Sequence, residues 1–188
     1  MPRNDQLLRL NRSVYKLTFR QAIMKLIHLM LFSISLTLSA YASANGFKTV
    51  GEAKMEYLFW DVYNAKLETP TGSYEFGEHP VKLTLTYLRN FDAKDIVKAT
   101  NEQWQHLGLV DMVNAYDEQL LALWPNIKKN DSLSFETNTQ GIGTFYFNND
   151  KLGVVEDKQF ADHFLAIWLS SDTSEPSLRK QLIGGKHD

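Results

Sequence analysis

The 188-residue sequence predicts an α+β fold, an antiparallel sheet with helices packed on one face. Three observations predict it. Strand-like segments surround and follow helical ones without the regular βαβ alternation that builds a parallel sheet. Residues 50–70, V-G-E-A-K-M-E-Y-L-F-W-D-V-Y-N-A-K-L-E-T-P, mix aromatic and β-branched side chains in the manner of a pleated, half-buried surface. Residues 81–88 alternate, with Val81, Leu83, Leu85 and Tyr87 on one side and Lys82, Thr84, Thr86 and Leu88 on the other.

The amino terminus reads as a leader. Met24-Lys25 precedes a thirteen-residue, mostly apolar run, 26–38, followed by Ser39-Ala40-Tyr41-Ala42-Ser43-Ala44. A cationic start, a short apolar segment and small residues at A-x-A spacing make a secretory signal peptide, cleaved after Ala42 or Ala44. The run is shorter than the roughly 20 residues a spanning helix needs. Residues 1–23 carry Arg3, Arg9, Arg12, Lys16 and Arg20 ahead of a second methionine, so translation is expected to begin at Met24. The expected organisation is an extension plus signal peptide over 1–44 and one domain over 45–188. The expected location is the periplasm or the exterior, with no stable membrane span after cleavage.

Within the domain, residues 50–70 are expected to form a strand pair at the centre of the sheet, with Tyr57, Leu58, Phe59, Trp60, Val62 and Tyr63 as its crowded apolar middle. The run 61–68 is phased with Val62 inward and Tyr63 and Ala65 outward, and a bulge is allowed near 59–61. Thr69-Pro70-Thr71-Gly72 is a turn. A short strand over 73–76 and a loop over 77–80 lead to the strand at 81–88. Asp92 caps a helix in which Ile96, Val97, Thr100, Trp104 and Leu107 recur at helical spacing, and Gly108 ends it. A second helix is expected over 110–123, stopped by Pro125. Strands at 132–137 and 142–147 flank a turn at Asn138-Thr139-Gln140-Gly141, and a further strand covers 151–155. Asp157 caps a third helix with the stripe Phe160, Phe164, Ile167 and Trp168. Pro176 opens a last short helix, closed by Gly184-Gly185.

Composition narrows the chemistry. With no cysteine in the chain, disulfides, thiolate metal sites and a cysteine nucleophile are excluded. Residues 45–188 hold fourteen Lys and Arg against twenty-one Asp and Glu, a net charge of −7. An acidic chain without a basic stripe is a poor nucleic-acid binder. No GxGxxG, P-loop, HExxH or GxSxG motif is present. The histidines are scattered, and neither a metal nor a cofactor is expected. Three polar groups stand out: Lys54 in the 50–70 stretch, and Tyr87 and Arg89 at the end of the alternating strand. A cation and a phenol opening onto an aromatic-lined sheet hold a carboxylate or an enolate. The plainer alternative is a sheet-edge tyrosine and a solvated arginine paired with Asp92. The four tryptophans read as core packing.

The 50–70 stretch resembles bacterial chalcone isomerase-like proteins. So do L-T-Y-L-R-N-F at 85–91, L-W-P at 123–125, F-Y-F-N at 145–148, F-L-A-I-W-L-S at 164–170 and S-L-R-K-Q-L at 177–182. The resemblance runs from about residue 50 to 185. It implies an open-faced β-sandwich, in which a large antiparallel sheet is backed by helices around a cleft. It also implies a cleft that in the plant enzymes cyclises a chalcone with an arginine, a threonine, a tyrosine and an asparagine. In non-catalytic relatives the cleft binds fatty acids. In that comparison Lys54 stands where a G-x-A-R/K segment would place the arginine, which keeps the charge and loses the bidentate fork. The threonine expected opposite Leu58 is absent. Tyr87 and Asn101 are candidates for the tyrosine and asparagine by neighbourhood. The resemblance therefore implies a non-catalytic domain that binds a small apolar or carboxylated ligand at Lys54, Tyr87, Arg89 and Asn101. An isomerase or lyase on another substrate, and an interaction module with an exposed aromatic patch, are the alternatives.

Overall fold

The computed structural model describes residues 46–185. The expected leader and its cleavage points lie outside the described residues. Six strands form one antiparallel sheet in chain order. They are β1 (Lys48–Tyr57), β2 (Trp60–Thr69), β3 (Lys82–Tyr87), β4 (Ser132–Thr137), β5 (Gly143–Phe147) and β6 (Asp150–Val155). Four helices among the described residues accompany it: α1 (Ala93–His106), α2 (Asp117–Leu123), α3 (Lys158–Leu169) and α4 (Pro176–Leu182). This is the expected α+β architecture.

Register explains how the helices lie on the sheet. One cross-strand row runs Gly51, Leu67, Leu83, Phe135, Phe145 and Gly153. Its apolar middle is buried under α3, whose Phe160, Phe164, Leu165 and Leu169 are buried in turn. Phe135 meets Phe145 at 4.7 Å and Phe164 at 4.9 Å, in tilted and edge-to-face contacts that suit aromatic quadrupoles. The glycines at the two ends admit close approach. A Cβ on Gly51 would strike the backbone carbonyls of Gln181 and Leu182 in α4, and one on Gly153 would strike the Leu123 side chain. The second row is Ala53, Ala65, Leu85, Leu133 and Phe147, and the third is Met55, Tyr63 and Tyr87. The opposite face is polar, with Thr84 bonded to Ser134 at 3.0 Å and Lys66 paired with Glu68 at 2.8 Å. No helix among the described residues is long and apolar enough to cross a membrane.

Four expectations about local structure change. The β1–β2 pair lies at one edge of the sheet and not at its centre, and the crowded apolar middle of 50–70 is the tip of its hairpin. Tyr57 pairs with Trp60 across a two-residue turn, and Leu58 sits there at φ 56°. Phe59 is 97% exposed and Leu58 76% exposed, so this aromatic run is not core. The phase of β2 is the reverse of the expected one. Met55 faces Tyr63 and Glu56 faces Asp61, leaving Val62 as an extra residue. An extra residue exchanges the two faces of a strand beyond it, so Ala65 and Leu67 are buried. No strand forms at 73–76. The second helix is confined to Asp117–Leu123, because residues 109–116 form turns with Asn114 at φ 61°.

The caps fall where the sequence places them. Asp92 and Asp157 are the N-cap residues of α1 and α3; the Asp157 carboxylate accepts from the Gln159 amide at 2.9 Å, whereas the Asp92 side chain makes no capping bond. Gly108, Gly184 and Gly185 adopt positive φ just beyond α1 and α4.

Candidate functional site

The third cross-strand row is the floor of a cavity of about 170 Å³ between sheet and helices. Met55, Tyr63 and Tyr87 lie side by side in register on β1, β2 and β3. Trp124, Leu133 and Phe164 close the interior, and Ile167 and Trp168 of α3 roof it. Ile96, Ala99 and Gln103 of α1 face Ser174 and Glu175, which precede α4. Phe164 and Trp168, one helical turn apart, share a face of α3 with rings 5.2 Å apart.

Polar groups in the wall are few. The Trp168 indole donates to the Tyr63 hydroxyl at 2.9 Å. Tyr63 packs edge-on against Tyr87 with ring centroids 5.8 Å apart. Burial pushes the Tyr63 phenol up to about 12, against the opposing pull of the Trp168 bond. Burial pushes the Tyr87 phenol higher still. Both are therefore un-ionised donors at neutral pH, and neither is a base. The Tyr63 oxygen accepts one bond and keeps its proton. The Tyr87 hydroxyl has no partner among the described residues. The Thr100 hydroxyl is tied to the Ile96 carbonyl at 2.9 Å, and Gln103 accepts from Ser174 at 2.7 Å. The Trp124 indole N–H is buried without an acceptor among the described residues. Glu175 is half-buried and makes no ion pair among the described residues.

Of the four residues singled out from sequence, only Tyr87 lines this cavity. Lys54 projects to the polar face of the sheet, where it pairs with Glu56 at 2.5 Å and Asp61 at 3.0 Å. Its neighbour Met55 is the β1 residue that enters the cavity, so Lys54 does not occupy an arginine's place there. Arg89 is exposed and lies over the Trp60 ring at 4.1 Å, beside the hairpin tip, and Asp92 pairs instead with Lys94 at 3.6 Å. Asn101 donates to Asp117 at 2.7 Å and accepts from the Asn114 amide at 2.9 Å, which braces the turns between α1 and α2. Sequence reasoning missed Met55, Tyr63 and Glu175 and took Trp168 for plain core. The one local signal was the irregular alternation after Trp60, which marks the bulge that turns Tyr63 inward.

A family model described as chalcone isomerase-like matches residues 56–184. The chain belongs to the chalcone isomerase-like family. An uncharacterized protein of Haemophilus influenzae is 25% identical over 155 residues, covering 82% of this chain and 76% of the relative. Among solved structures, the Arabidopsis thaliana fatty-acid binding protein AtFAP1 superposes with a TM-score of 0.55 at 13% identity, over 76% of this chain and 90% of that one. At that identity the likeness concerns the fold. Within the fold, the cavity of this chalcone isomerase-like chain is walled by aromatic rings, and its described lining carries no lysine, arginine or histidine.

Proposed function

We propose that this chain is an exported, non-catalytic chalcone isomerase-like domain that holds a small apolar ligand between its sheet and its helices. The observation that carries the proposal is the cavity above Met55, Tyr63 and Tyr87: mostly apolar, with two un-ionised phenols on its floor and one carboxylate, Glu175, in its lining. Efficient proton abstraction needs a group whose pKa lies near the working pH, and both phenols lie far above it, so neither Tyr63 nor Tyr87 serves as a base. Of the apolar and carboxylated ligands expected from sequence, the apolar class is favoured, since no cation among the described lining residues would hold a carboxylate. A cavity of about 150 Å³ lined by apolar residues takes up benzene, so the 170 Å³ here suits a single ring or a short branched chain. The leader at 24–44 and the kinship with a fold that includes a fatty-acid binding protein support export and binding respectively.

The test has two parts. Amino-terminal sequencing of protein from the cell envelope is expected to begin at Ser43 or Asn45; a start at Met1 or Met24 would contradict export with cleavage. Solvent extraction of the same preparation, followed by mass spectrometry, is expected to release a small molecule that the Ala99→Trp variant, its mouth blocked, does not carry. An equal yield from both proteins would contradict a ligand in this cavity.

The hairpin tip favours a second reading. Tyr57, Leu58, Phe59 and Trp60 form a contiguous exposed apolar group, and such groups mark contact surfaces. An interaction module would lose its partner when Phe59 becomes serine, with the cavity ligand unaffected.

A further inference from the structure

We propose that the cavity takes the ammonium head of a small organic cation. The inference rests on the cavity being a site for a small, largely apolar ligand and adds that this ligand carries an alkylated ammonium head. Five aromatic residues wall the space: Tyr63, Tyr87, Trp124, Phe164 and Trp168. Aromatic faces attract alkylated ammonium groups through the ring quadrupole, more strongly when water is excluded. At the mouth stands Glu175, a half-buried carboxylate with no ion-pair partner among the described residues. It heads α4 without capping it, since its side chain accepts no bond from the helix amides. Its charge reaches the cavity floor, where it acts on the Tyr63 phenol.

Each competing charge fares worse. An anionic head would be desolvated beside Glu175 with no described cation to offset it, and a buried charge without a partner is costly. Lys54 cannot serve, because it is held on the far face of the sheet by Glu56 and Asp61. Nor can Arg179 of α4, whose Nε donates to the Leu169 carbonyl and which is not part of the lining. A neutral molecule would fit the walls but leave Glu175 unmatched. Size agrees with a compact head: 170 Å³ lies well under the roughly 300–1,000 Å³ of pockets that enclose drug-sized ligands.

Three probes of one branched shape separate the charges: choline, 3,3-dimethylbutan-1-ol and 3,3-dimethylbutanoate. Isothermal titration calorimetry of the exported protein is expected to show choline binding at least about tenfold more tightly than the alcohol, with no binding of the carboxylate. Glu175→Gln is expected to bring choline to within about threefold of the alcohol and to leave the alcohol unchanged. Ala99→Trp is expected to abolish both. The proposal is overturned if the alcohol matches choline, if the carboxylate binds most tightly, or if the choline preference survives Glu175→Gln. If none of the three binds while laurate does, the charge assignment falls and the cavity remains a ligand site. If laurate fails as well, both fall.

Discussion

The indole of Trp168 donates to the hydroxyl of Tyr63 at 2.9 Å, and this bond joins the end of α3 to β2 across the cavity. Trp168 is only 8% exposed, so its N–H has little access to water if the acceptor is lost. Tyr63→Phe removes the acceptor and keeps the ring. The expected loss is about 1–3 kcal/mol, the penalty for a buried donor left unpaired, read from urea denaturation. A change below about 0.3 kcal/mol would show that the bond does not hold the two layers together.

Gly51 sets the distance between β1 and α4. A methyl group there would lie 2.5 Å from the Leu182 carbonyl oxygen and closer still to that of Gln181. Both atoms are backbone, so the helix must move. Gly51→Ala is expected to cost about 2 kcal/mol or more in chemical denaturation, in the range of overpacked cores. Glu175 heads the same helix, so the variant should also weaken ligand binding. Wild-type stability would contradict the packing described.

Phe59 gives the opposite expectation. At 97% exposed it has almost no packing to lose. Phe59→Ser is expected to change unfolding free energy by less than about 0.5 kcal/mol. A loss of about 3 kcal/mol, the scale of a truncated core phenylalanine, would restore this residue to the interior.

The Tyr116 hydroxyl donates to Asp157 at 2.5 Å, joining the start of α2 to the cap of α3. This bond is the main cause holding the Asp157 carboxyl below its ordinary value. A carboxyl lowered in the folded state contributes stability that is complete above about pH 4 and is lost as pH falls through the lowered value. Burial, with help from Asp157, pushes the Tyr116 phenol up to about 12. Its contribution is complete below pH 10, the ordinary phenol value, and is lost as pH rises through 12. The stability gap between wild type and Tyr116→Phe is therefore expected to be flat at neutral pH and to narrow at both extremes. Urea midpoints measured against pH check this, and a gap independent of pH would contradict it.

Much of the fold was legible because it rests on short-range signals. The alternation of Leu83, Leu85 and Tyr87, the Asp157 cap and the turn ending in Gly141 each follow from neighbours in sequence. The β1–β2 hairpin was not legible in this way. Leu58-Phe59 lacks the Asn-Gly or Asp-Gly chemistry that marks a tight turn, so four large apolar residues read as core. The extra residue Val62 then reverses the face of everything beyond it. That error pointed Tyr63 to the outer face of the sheet. On the neighbouring strand, the side chain entering the cavity is Met55 and not Lys54. Asn101 was drawn into the site by proximity along α1, whereas its partners depend on Asn114 turning left-handed. Glu175 and Trp168 reach the cavity from the far end of the chain, where no local pattern announces that they share its wall with Tyr63.

The most direct test observes the cavity floor itself. In protein labelled at the methionine methyl carbons and lacking residues 1–44, Met55 and Met112 are the two reporters, and only Met55 lines the cavity. Methyl NMR is recorded as choline, its neutral isostere and laurate are titrated in turn. The Met55 resonance is expected to shift saturably with at least one of these probes while Met112 stays in place, and Ala99→Trp is expected to suppress the shift. A Met55 resonance that none of the three moves would contradict a ligand site on the Met55–Tyr63–Tyr87 floor.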